Sequence, residues 1–121
     1  MNVAVVGASN NPEKYSYQAV KLLQEKGHSV FPVHQSIKEI DGIKVYPSVR
    51  DIPQPVDTVS LYVSQSISSG LAEDLFAKSP RRIIFNPGAE NPELESKASE
   101  KGIKTLNACT LVMLKTNQFE K

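Results

Sequence analysis

The chain alternates between two apolar periods. Asn2–Val6 is a continuous β-branched and apolar run, the pattern of a strand buried on both faces of a parallel sheet. Small and polar residues interrupt it over 7–14. From Tyr15 to Lys26 the period becomes helical: Ala19, Val20, Leu22 and Leu23 gather on one side, and Lys21, Gln24, Glu25 and Lys26 on the other. Gly27 stops that helix, and Ser29–Val33 is the second strand. Strand, helix and strand within about thirty residues form a βαβ unit with a right-handed crossover.

Beyond it, His34–Pro47 is a longer connection with a turn at Asp41-Gly42 and a short edge strand at Ile43–Tyr46. Ser48 to Asp51 has capping-box spacing and predicts a single helical turn before Pro53 and Pro55. Asp57–Val63 is the third main strand. A helix capped by Ser64 or Ser66 follows to about Lys78, with Ile67, Leu71, Leu75 and Phe76 inward. Arg81–Phe85 is the fourth strand. Asn91-Pro92-Glu93 opens a helix that runs to Lys101 and stops at Gly102. Lys104–Leu106 is the fifth strand, Thr110 caps a short helix over Leu111–Leu114, and Lys115–Lys121 reads as a frayed polar tail. His28 falls in a surface turn.

This alternation predicts an α/β fold: a Rossmann-like, doubly wound, parallel five-stranded sheet with helices on both faces. The expected order of the main strands is 3-2-1-4-5. Residues 1–121 form one domain at this length. Ligands of such sheets bind beyond the carboxyl ends of the strands where the order reverses, which nominates residues 7–14, 32–35, 62–66 and 86–90.

Composition narrows the chemistry. The 14 Lys/Arg nearly balance the 13 Asp/Glu, and they divide evenly between the two halves. Nucleic-acid binding through a basic face is therefore not expected. One cysteine, Cys109, allows no intrachain disulfide and fits a cytoplasmic location. Val3–Val6 is too short for a signal or membrane helix, so no membrane association is expected. The sequence holds no CxxC, HExxH or GxSxG motif and no paired acid and histidine. Neither a metal site nor a catalytic set is read from it.

What remains is the turn after the first strand. Its backbone amides, and the positive end of the next helix, suit phosphate. Gly7 permits the turn, Ala8 and Ser9 keep the approach narrow, the Ser9 hydroxyl can donate, and Lys14 adds a compact charge. The dinucleotide fingerprint G-x-G-x-x-G is not satisfied, because Ser9 and Pro12 stand where its later glycines belong. The ribose-binding acid is absent too; Pro32-Val33-His34-Gln35 occupies that place. Asn86-Pro87-Gly88 follows the fourth strand and serves equally as a plain turn or as a cleft-facing loop. Tyr46 and Tyr62 are read as packing residues, and Cys109 as a small buried hydrophobe.

Several segments together resemble the small stand-alone CoA-binding proteins, relatives of the N-terminal CoA-binding domain of succinyl-CoA synthetase alpha subunits. They are Val5-Val6-Gly7-Ala8-Ser9 with Pro12 and Lys14, Gly27 to Val33, Gly42 to Tyr46, Asp51-Ile52-Pro53, Asn86 to Ala89, and Ala98 to Cys109. The resemblance implies a Rossmann-like domain that holds coenzyme A or an acyl-CoA without catalysis. It implicates Gly7, Ala8, Ser9 and Lys14 at the nucleotide and its phosphates, Pro32 and Val33 along the adenosine, and Asn86, Pro87 and Gly88 toward the pantetheine. A CoA ribose carries a 3′-phosphate, beside which the missing acid would repel. The chain departs from the family at His34-Gln35, at Phe85-Asn86, and near Tyr62-Val63, where a basic residue is often found. Two other readings stay open on the residues: an NAD(P)-binding protein, and a regulatory module with a degenerate nucleotide site that engages a protein partner or a second copy.

Overall fold

A computed structural model describes residues 1–120. The elements run β1 (Asn2–Val6), α1 (Tyr15–Glu25), β2 (Ser29–Val33), β3 (Glu39–Ile40), β4 (Ile43–Lys44), a 3-10 turn (Val49–Asp51), β5 (Thr58–Leu61), α2 (Gln65–Ser69), α3 (Ala72–Ala77), β6 (Arg82–Phe85), α4 (Pro92–Glu100), β7 (Lys104–Asn107) and α5 (Thr110–Lys115). The sheet is five-stranded, in the order β2-β1-β5-β6-β7, and every pair is parallel. Alternate residues of each strand face opposite sides. Val3, Val5 and Ile84 pack with Val20 and Leu23 of α1 and Leu114 of α5. Ala4, Val6, Val59, Leu61 and Phe85 pack with Leu75 of α3, Leu94 and Ala98 of α4, and Val49 and Ile52. The Rossmann-like α/β architecture with helices on both faces is as the pattern predicts.

The strand order needs correction. The third main strand, β5, lies against β1 and not against β2. The main strands therefore run 2-1-3-4-5. The place beside β2 is taken by the end of the following connection: Tyr46 bridges Val33 in parallel, its amide donating to Pro32 O at 2.9 Å and its carbonyl accepting from His34 N at 3.0 Å. Every residue of β5 is buried, as a strand flanked on both sides must be. Its two polar side chains are bonded: Thr58 Oγ1 accepts from Arg82 Nε at 2.8 Å, and Ser60 Oγ lies 2.8 Å from Thr110 Oγ1.

Four smaller corrections concern segments whose role depends on distant neighbours. The helix expected to run to Lys78 is two short helices, α2 and α3, interrupted at Gly70-Leu71. Thr110 does not cap α5; Cys109 stands at that position, and the Thr110 hydroxyl is spent on Ser60. His28 is only 8% exposed. Its ring meets Phe119 edge-on at 5.2 Å between centroids, and Nδ1 lies 3.2 Å from the Met1 amino group. Residues 116–120 are not a loose tail either. Phe119 is 2% exposed, and the Arg82 guanidinium sits 4.4 Å above its ring. Lys121, the last residue of the expected tail, lies outside the described residues.

Candidate functional site

A cleft of about 380 Å³ opens beyond the carboxyl ends of β1, β2 and β5, where the strand order reverses. Its walls are mostly apolar: Val6, Val33, Pro47, Val49, Val63, Ile67, Leu71 and Leu75. Gly7, His34, Gln35, Ser36, Ser48 and Asp74 add polar groups. Ile67 is 54% exposed, the one large hydrophobe that the cleft leaves open to solvent.

Gly7 fixes the inner end. Its φ of +87° is a conformation that L side chains rarely adopt, and a Cβ there would stand 2.8 Å from Val63 Cγ1 and 3.2 Å from the Tyr62 carbonyl. The strand-to-helix turn thus lies directly against the strand beside it. The amides of Gly7 and Ala8 do not face outward as expected: both donate to Val33 O, at 3.1 and 3.2 Å. That shared acceptor ties the ends of β1 and β2 together. Further along, Ser9 Oγ accepts from Asn11 N at 3.0 Å, and Asn11 Oδ1 accepts from Glu13 N at 3.0 Å. These two bonds shape the loop and leave the Ser9 hydroxyl proton free to donate. Lys14 is exposed at the entry to α1, and its ammonium forms no hydrogen bond or ion pair among the described residues.

The second wall is built after β2. His34 Nδ1 accepts from Ser36 N at 3.0 Å and Ile37 N at 3.2 Å. A doubly accepting Nδ1 puts the proton of the neutral ring on Nε2, which is then a donor. Across the cleft, the Asp74 carboxylate pairs with Arg50 Nε through Oδ1 and accepts from Ser48 Oγ at 3.3 Å through Oδ2.

Of the nominated residues, the cleft brings together Gly7, Val33, His34, Gln35 and Val63. Ala8 and Pro32 are buried in the core and support this end of the sheet. Ser9 and Lys14 lie on the adjoining turn. Asn86 is 1% exposed and turned inward. Its Nδ2 donates to Ser60 Oγ at 2.9 Å and Leu61 O at 2.8 Å, and its Oδ1 accepts from Thr110 N at 2.8 Å. Pro87 and Gly88 are exposed. Tyr46 packs on Phe31 and under Lys44. The Tyr62 hydroxyl is buried without a hydrogen-bond partner among the described residues; burial, then the neighbouring Cys109, push its pKa up to about 12. Cys109 is half-buried.

Sequence reading missed the wall formed by Pro47, Ser48 and Val49 and by Ile67, Leu71 and Asp74. The available signal was the i, i+4 pair of Ile67 and Leu71. The helical period puts both on the protein's inner face, whereas they line an open cleft.

Comparison with known proteins decides what kind of domain this is. A family model described as a CoA binding domain matches residues 1–115. The chain belongs to the CoA-binding domain family. YneT, an uncharacterized protein of Bacillus subtilis, is 30% identical over 100 residues, covering 83% of this chain and 74% of that one. The alpha subunit of ADP-forming acetate–CoA ligase II of Pyrococcus furiosus is 44% identical over 62 residues. That match covers 50% of this chain and only 14% of the subunit. The crystal structure of an uncharacterized protein superposes with a TM-score of 0.92 at 36% identity, covering 98% of this chain and 97% of that one. Family members thus include stand-alone chains of similar size and segments of much longer ligases.

Proposed function

We propose that this protein binds coenzyme A or an acyl-CoA non-covalently, in the cleft at the carboxyl ends of β1, β2 and β5. The observation that carries the reading is an apolar cleft of about 380 Å³, closed at one end by Gly7, in a chain of the CoA-binding domain family. Its size and lining suit a flat base and ribose. In this reading the adenosine enters between the Val33–Ser36 and Pro47–Val49 walls. The pyrophosphate lies along the turn, where Ser9 donates a hydroxyl and Lys14 supplies an unpaired charge. The pantetheine arm leaves toward Pro87-Gly88, and Asn86 acts as a strut behind it. In this reading the protein works in the cytoplasm. The chain holds its ligand and takes no part in chemistry on the acyl group.

Mass spectrometry of ligand released from the purified protein, followed by calorimetric titration with CoA, dephospho-CoA and NAD, tests this. Binding of CoA is expected. Binding of NAD without CoA overturns it.

A further inference from the structure

Among the described residues the cleft itself is lined by one carboxylate, Asp74, and by no lysine or arginine. A ligand whose ribose bears a phosphate needs a cation there. Arg50 is the group in position. It sits on the 3-10 turn between the lining residue Val49 and Asp51, and its backbone amide is held by Ser48 Oγ at 3.2 Å. The ion pair to Asp74 uses Nε, and no hydrogen bond engages the two Nη groups among the described residues. Both Asp74 oxygens are occupied, one by Arg50 and the other by Ser48. The Arg50 side chain is 54% exposed and that of Asp74 33%. The pair therefore places a guanidinium fork at the rim, and the Asp74 carboxylate beside it in the cleft wall is already held by that guanidinium and by the Ser48 hydroxyl.

Resting on the reading of the cleft given above, we propose that Arg50 reads the 3′-phosphate of the CoA-type ligand. The planar fork takes a phosphate monoester in bidentate fashion, and Asp74 and Ser48 set its direction. Arg50 would thereby supply cationic donors to a cleft that is lined by no lysine or arginine among the described residues.

Calorimetric titration of CoA and dephospho-CoA into the wild type, Arg50→Gln and Arg50→Lys provides the test. These ligands differ only in the 3′-phosphate, so dephospho-CoA also reports whether each variant is folded. Arg50→Gln is expected to weaken CoA about tenfold, the scale of a charge-assisted hydrogen bond, and to leave dephospho-CoA unchanged. Arg50→Lys is expected to lose less, because charge remains and the fork does not. Equal losses for both ligands, or no loss for either, overturn the role of Arg50 while the cleft reading survives. If the wild type binds neither ligand, the cleft reading falls and the role of Arg50 falls with it.

Discussion

A Cβ placed on Gly7 would stand 2.8 Å from Cγ1 of Val63, closer than such atoms approach in real structures. The two residues meet at the inner end of the cleft, where the turn after β1 crosses the end of β5. Gly7→Ala combines this clash with a left-handed backbone at φ +87°. It is expected to destabilise the fold by about 2–3 kcal/mol and to abolish ligand binding. Val63→Ala in the same chain removes the contact with Cγ1, but neither the 3.2 Å approach to the Tyr62 carbonyl nor the backbone strain. Urea denaturation of the double variant should recover part of the loss.

Asn86 joins three elements through one side chain. Asn86→Ala strands the amide of Thr110 and leaves the carbonyl of Leu61 without that donor. The expected cost is about 2–4 kcal/mol. In hydrogen exchange the Thr110 amide should lose protection. The lining of the cleft does not include Asn86, so in the remaining folded protein ligand affinity should change little.

Phe119 lies between Arg82 and His28, beneath the amino-terminal end of the sheet. Phe119→Ala should cost about 3 kcal/mol, as for other buried aromatic truncations. A thermal midpoint equal to that of the wild type would show that residues 116–120 are loose after all.

The same cluster makes stability depend on pH. Burial, and then the Met1 amino group, hold the His28 pKa below its ordinary 6.5, while Glu120 acts in the opposite direction. A lowered folded-state value means that the unfolded chain takes up the proton first. The contribution is full above pH 6.5 and is lost as pH falls below it toward the folded-state value. In His28→Gln the slope of stability against pH in that window should flatten. A slope equal to that of the wild type would assign the dependence to other groups.

Lys14 tests the proposed phosphate path without touching the core. If CoA binds, Lys14→Ala should weaken it several-fold and make its affinity less sensitive to salt. An unchanged affinity removes Lys14 from the site.

The sequence by itself determined the elements and their punctuation. The switch from period 2 to period 3.6, the glycines after helices, and the Asn91 cap on Leu94 N at 3.0 Å are local, and they appear where they were read. The Gly7 turn was also legible, because a positive φ restricts the residue type whatever lies nearby. Strand order was not. A buried apolar run records that both faces are covered but not which strand lies alongside, and β5 satisfies that pattern beside β1 as well as it would beside β2. Side-chain direction was equally hidden. Asn86 reads as a turn residue, yet buried partners on β5 and α5 draw it inward. His28 and Phe119 read as surface positions, and it is their packing against each other that buries them. The cleft is the extreme case: its walls come from Gly7, Val33, Val49 and Leu71, four stretches that only the crossovers bring together. Its shape is therefore a property of how the elements pack, and no single stretch of sequence contains it.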